Sequence, residues 1–168
     1  MNYIKCLFVI LLLSLQGCDE KKVEQSNFHM NQGIAFIAAL EGSDSTDGFQ
    51  KLLKNAEIEF GQAIELNPSN HLALMNRGVV YITMGKLNKA ELDLKKSVEI
   101  SPKHPDANYN LACLYSLTNK LDFALEYFDI ALKNGFNDYS RIREDSDLSN
   151  LREYEGFKKI LEANKVFL

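Results

Sequence analysis

Apolar and small residues recur along this chain in a pattern that repeats itself. In the thirty-four residues from His71 to His104, HLALMNRGVVYITMGKLNKAELDLKKSVEISPKH, Leu74, Gly78 and Tyr81 stand three to four apart, the spacing of one helical face. Ala90, Leu94, Ser97 and Val98 mark a second face, and Gly85 and Lys86 between the two read as a turn. The pattern predicts two packed antiparallel helices. Gly78 and Ala90 fall where their axes come nearest, since helices approach to roughly 8 Å only over small side chains. Pro102 closes the unit, because proline cannot continue a helix interior and restricts the residue before it.

Shifted by thirty-four, the pattern returns from Pro105 to Asp138, with Ala112 for Gly78, Tyr115 for Tyr81, Ala124 for Ala90, then Phe128 and Ala131. In the other direction Ala56, Phe60, Ala63 and Pro68 match the second helix, and Asn67-Pro68 parallels Ser101-Pro102. Residues 26–40 open with Ser26, a good N-cap, and carry His29, Gly33 and Phe36 where the central unit has Leu74, Gly78 and Tyr81. Gly33 to Ala56 is 23 residues against 12 from Gly78 to Ala90, so the first unit contains an insertion of eleven. It is expected as loop near 41–49, where EGSDSTDGF is rich in glycine and short polar residues.

The period of 34 residues and the order large, leucine, small, tyrosine, alanine, phenylalanine, alanine, proline resemble the tetratricopeptide repeat. The resemblance implies an all-α protein, a right-handed α-solenoid of three helix-turn-helix repeats at 26–70, 71–104 and 105–138. The sequence departs from the repeat pattern at Arg77 for leucine, Ser97 for alanine and Phe136 for proline. Residues 139–168 leave the repeat phase but keep helix formers and apolar Leu148, Leu151, Phe157, Ile160 and Leu161. They are expected to form a helical cap over the last apolar face, which a repeat array needs.

Residues 1–17 have a basic start at Lys5 and an apolar run from Cys6 to Leu13 that is short for a membrane span, the layout of a secretion signal. The ending Leu15-Gln16-Gly17-Cys18 resembles the bacterial lipoprotein signal. That resemblance implies cleavage before Cys18, a diacylglyceryl group on its sulfur and an acyl chain such as palmitate on the new amino group. Several chains, at ~0.8 kcal/mol per buried methylene, anchor stably to a membrane. Asp19 after the cysteine resembles the inner-membrane retention signal of enteric bacteria, which favours the periplasmic side of the inner membrane. Residues 18–25 read as a polar tether.

Composition narrows the chemistry. The formal charge of -4 makes phosphate backbones a poor match, so nucleic-acid binding is disfavoured. With Cys6 and Cys18 in or beside the leader, Cys113 is the one thiol of the folded body; no internal disulfide forms, and its apolar surroundings suit a small buried hydrophobe. His29, His71 and His104 have no second ligand at metal spacing. A calcium loop with Gly48 sixth would put Ser43 first and Lys54 twelfth, and one starting at Asp145 would put Asn150 and Gly156 at those places, so both fail. There is no G-x-S-x-G, phosphate loop or cysteine-histidine pair. The expectation is a protein that is not an enzyme and uses no metal or cofactor.

Binding is the function the resemblance implies. In the family, first-helix positions 2, 5, 6, 9, 12 and 13 line a concave groove. Position 6 is Asn31, Asn76 and Asn110, a row able to hydrogen-bond an extended peptide backbone. Position 5 is Met30, Met75 and Tyr109, position 9 is Ile34, Val79 and Cys113, and Leu72 holds position 2 of the central repeat, together a permissive apolar floor. The asparagines can equally bond neighbouring backbone and stiffen the stack. The lysine and arginine grip of chaperone-binding members is absent: positions 2 hold Asn27, Leu72 and Asp106. The resulting expectation is a membrane-anchored scaffold that binds a protein or peptide segment for a cell-envelope assembly. The alternative is a self-associating homodimer without a peptide ligand.

Overall fold

A computed structural model describes the backbone of residues 2–43 and 45–167 and the side chains of 19–43 and 45–167. The expected secretion signal at 1–17 and the lipidation site Cys18 lie outside the described side chains. The described residues form helices joined by turns and contain no strand. Contacts divide the chain into two compact units, Met1–Ala73 and Leu74–Leu168, with the boundary inside the third helix.

The first unit pairs α1 (Asn2–Ala38) with α2 (Thr46–Leu66). Leu53, Ala56, Phe60 and Ala63, three to four apart, form the buried stripe of α2. A Cβ added at Gly33 would lie 2.6 Å from the Phe60 ring, so only glycine admits that ring. The helix does not start at Ser26, and 19–25 are not a loose tether: α1 runs through them unbroken. DEKKVEQ holds no glycine or proline and consists mostly of good helix formers, so nothing stops the helix. Ser26 is instead fully buried; its hydroxyl donates to the Ala63 carbonyl at 2.7 Å and accepts from Asn70 Nδ2 at 2.9 Å. Asn70 in turn caps the next helix, its Oδ1 accepting from Ala73 N at 3.0 Å.

The eleven-residue insertion is mostly helix, against the expectation of a loop. α2 starts at Thr46, seven residues ahead of Leu53, the counterpart of Leu87 that opens α4. Two turns are therefore added to the front of α2, and the connector grows by only four residues. Ser45 explains the early start, since its hydroxyl accepts from Gly48 N at 3.0 Å and Asp47 sits in the first turn.

The second unit contains α3 (His71–Thr83) from Leu74 onward, α4 (Leu87–Ile100), α5 (Pro105–Leu117) and α6 (Leu121–Lys133). The two turns match. Gly85 and, thirty-four residues later, Asn119 take left-handed φ of 70° and 56°, and Lys86 N and Lys120 N each bond back to the tyrosine carbonyl at 2.8 Å. Ala90, Leu94, Ala112, Ala124, Phe128 and Ala131 are all buried. Arg77, in place of leucine, forks onto the buried Asp93 of α4, with Nε 2.7 Å from Oδ2 and Nη2 2.9 Å from Oδ1. Tyr115 donates to Glu91 Oε1 at 3.1 Å, joining α5 to α4; burial and that carboxylate push its hydroxyl pKa up to about 12. Phe136 replaces proline because its N–H is used: Gly135, at φ 96°, ends α6, and Phe136 N bonds to the Ala131 carbonyl at 3.0 Å.

The cap consists of α7 (Tyr139–Glu144), a 3-10 turn at Ser146–Leu148, α8 (Ser149–Arg152) and α9 (Glu155–Ala163). It leaves the repeat phase only from Asp145. α7 starts thirty-four residues after α5, and Ile142, thirty-four after Asn108, is fully buried. Asp145 then breaks the helix in an extended conformation and accepts from Asp147 N at 3.0 Å. Leu148, Leu151 and Phe157 close the core, Phe157 stacking on Phe128 at 5.1 Å, while Ile160 and Leu161 are partly buried against it. The buried Ser116 of α5 receives Asn150 Nδ2 on its carbonyl and Leu151 N on its hydroxyl.

This packing can be tested at two contacts. A Cβ at Gly78 would lie 2.7 Å from Cγ of the buried Leu94, so Gly78→Leu should lower stability by roughly 1–3 kcal/mol or more. An unchanged thermal midpoint would reject the register. Arg77→Ala leaves the Asp93 charge buried without its fork; because Arg77 is 21% exposed the cost should be about 2–3 kcal/mol, below that of a fully enclosed pair. Replacing both residues by leucine should restore most of it in urea unfolding, and a double variant as unstable as the single one would contradict this reading.

Candidate functional site

The residues expected to bind a peptide divide by helix. On α1, Asn27 and Asn31 are exposed, Met30 is half-buried and Ile34 is 43% exposed. On α3, Leu72, Met75, Asn76 and Val79 are all half-buried, and Met75 also rests against the core of the second unit. These side chains fall on one face of their own helix by the spacing of three and four, and the packing leaves them within reach of a partner.

The same positions on α5 are closed, which corrects the expectation for Tyr109 and Asn110. Tyr109 is fully buried, and Asn110 and Cys113 nearly so. The Tyr109 ring stacks on Phe136 with centroids 4.1 Å apart, the Arg141 guanidinium lies 4.6 Å from its centroid, and its hydroxyl donates to Asp145 Oδ2 at 3.1 Å. Arg141 Nη2 donates to Asn110 Oδ1 at 3.5 Å, and its Nη1 stands 3.7 Å from Asp106. The physical reason is the segment after α6: Arg141 of α7 and Asp145 at its end lie against Tyr109 and Asn110. A third shift by thirty-four, placing Ile142 at the position of Leu74, is the signal in the sequence that reveals it.

This covered cluster is poor in reactive groups. Burial and the Asp145 carboxylate hold the Cys113 thiol well above its ordinary range, and its sulfur lies 3.7 Å from Asp145 Oδ2. Burial likewise raises the Tyr109 hydroxyl. Asp147 is raised by burial and then by the charge of Asp145. Among the described residues no group of three or more His, Cys, Asp or Glu assembles to hold a metal ion. His29 Nδ1 is 2.7 Å from Glu59 Oε2 between α1 and α2, and His104 caps α5 by accepting from Ala107 N at 3.3 Å.

Comparison with known proteins agrees with this architecture. Residues 72–104 match one tetratricopeptide repeat family and residues 94–126 another. Residues 72–126 thus match tetratricopeptide repeats. Over 55 residues it is 44% identical to a chloroplastic protein of Arabidopsis thaliana, a stretch that makes up 33% of this chain and 16% of that protein. A thermophilic tetratricopeptide repeat protein of Thermus thermophilus superposes with a TM-score of 0.61 at 28% identity, over 72% of this chain and 62% of that one. This chain therefore spans less than two thirds of either protein. The Arabidopsis OM64 repeat domain gives 0.60 at 22% identity over 76% and 98% of the two chains. The first such domain of Spaghetti (RPAP3), solved with the HSP90 peptide SRMEEVD, gives 0.60 at 16% over 84% and 94%. These last two bear on the fold alone. The chain is an all-α solenoid of helical repeats, and the matched tetratricopeptide stretch covers α3, α4, α5 and the first half of α6.

Asp147 makes stability depend on pH. Asp147 has a raised folded pKa, so its ionised form is the one disfavoured by folding. Its penalty is absent in acid, grows as pH rises through the interval above the ordinary aspartate range, and is constant at neutrality. Asp147→Asn should therefore raise the thermal midpoint at pH 7 by about 1–2 °C and have no effect at the acid end. A gain that persists unchanged in acid would show that its origin is not the charge.

Proposed function

We propose that this protein is a membrane-anchored tetratricopeptide scaffold, held by lipid on Cys18, that binds a segment of another protein for a cell-envelope assembly. The observation that carries this is the contrast between helices. Asn31 and Ile34 on α1, and Asn76 and Val79 on α3, reach solvent, whereas Tyr109 and Asn110 on α5 are filled by the chain's own cap. Asparagine donates and accepts at once, so it suits the N–H and C=O groups of an extended segment, and the flanking methionines, isoleucine and valine suit its side chains. Among these accessible positions none is cationic, unlike a site built for a terminal carboxylate. The RPAP3 domain that holds an HSP90 peptide shares the fold at 16% identity and lends its ligand no support here.

The experiment is a crosslinking pull-down from membranes. Partners captured by the wild type should be lost when Asn31 and Asn76 are changed to alanine with helicity intact, and kept by the single change at the covered Asn110. Identical partners from the wild type and the double variant would sink recognition by these faces. A labelled fatty acid should be incorporated by the wild type and not by Cys18→Ser, and an unlabelled wild type or an equally labelled variant would refute the lipid anchor.

A further inference from the structure

The accessible face of α1 does not stop where the repeat begins. Residues 19–25, helical rather than a tether, carry it further toward the N-terminus with the same spacing. Asp19, Glu20, Val23, Glu24 and Asn27 line a shallow concavity of about 470 Å³ on this stretch. Along the same side follow Met30, Asn31, Ile34 and Ala38. Val23 is 44% and Ile34 43% exposed, large apolar side chains that nothing in their own unit covers fully. The stripe thus has an apolar floor and an acidic end. All three carboxylates are exposed, and Lys21 and Lys22 fall outside the stripe by helical spacing.

From this arrangement we infer that α1 recognises a basic amphipathic segment of a partner protein, its apolar side chains on Val23, Met30 and Ile34 and its lysines or arginines against Asp19, Glu20 and Glu24. The inference rests on the proposed scaffold function and names the chemistry of the segment bound. Charge selects the occupant. A second copy of this chain docked stripe to stripe would bring the same three carboxylates and no cation, whereas a basic segment neutralises them and gains from encounter steering. An acidic segment is rejected for the same reason.

The test uses the full chain in detergent and three synthetic peptides of equal length: one of lysine and leucine at helical amphipathic spacing, one with glutamate for lysine, and one with serine for leucine. Fluorescence anisotropy should show the lysine-leucine peptide binding at least about tenfold more tightly than the other two, with affinity falling as salt rises. Changing Asp19→Asn, Glu20→Gln and Glu24→Gln together should remove about that factor while leaving circular dichroism unchanged. Equal binding of the lysine and glutamate peptides, no binding of the lysine-leucine peptide, or full affinity in the triple variant would overturn the inference. Full affinity there with loss in the Asn31→Ala, Asn76→Ala variant would do so while preserving the scaffold reading. A mass in light scattering that doubles with concentration and returns to the monomer in Val23→Ser would place a second copy on this face instead.

Discussion

Each of the first two helix pairs closes because a position without a side chain faces a large one. Gly33 lies under the ring of Phe60 and Gly78 under Leu94, and in both a single added carbon would come within 2.7 Å of its neighbour. This close approach brings the buried stripes of the paired helices together. It also explains why mid-helix glycines, costly in propensity by roughly 1 kcal/mol, stand there. The turns add to the same constraint. Gly85 and Asn119 adopt left-handed conformations that return the chain after the two residue-11 tyrosines, so the second helix starts where the small position requires it.

On this apolar frame a few polar ties set individual contacts. Ser26 is enclosed between the Ala63 carbonyl and Asn70, Arg77 is forked onto Asp93, and Tyr115 reaches Glu91. Each satisfies a buried group whose isolation would cost about 1–3 kcal/mol or more. None of them uses the side chains that face away from the pair. The exposed positions Asn27, Asn31 and Ile34 on α1 take no part in these ties, whereas Met75 on α3 also packs on the core.

The third repeat has a different fate. Its outward face is occupied by Arg141 and Asp145, because α7 begins as another repeat would and is broken after six residues at Asp145. Leu148, Leu151 and Phe157 then cover the apolar surface that a complete fourth repeat would have covered. The cap thereby ends the array and removes α5 from the set of accessible faces. The carboxylates that line it are drawn into that closure, with Tyr109 and Cys113 pressed against Asp145.

Local spacing alone determined the helix pairs at 71–104 and 105–138, their turns, the small-residue contacts and the burial of Ala90, Leu94 and Phe128, since a helix face follows from residues three and four apart. The solenoid class followed from the repetition of that face at thirty-four. Local composition misled where it competed with propagation. A serine that suits an N-cap lies mid-helix because the seven residues before it are willing helix formers, and the last four residues of EGSDSTDGF enter α2 because Ser45 caps it early. Which of the three asparagines stays accessible is not written in the spacing of their own repeats, and Ile142, thirty-four residues on from Asn108, is the one sign in the sequence of a cover on α5. Asn31, Asn76 and Asn110 are the same residue at the same repeat position, and only the tertiary packing of Arg141 and Asp145 against α5, a contact between residues some thirty apart, buries one and leaves the others to solvent.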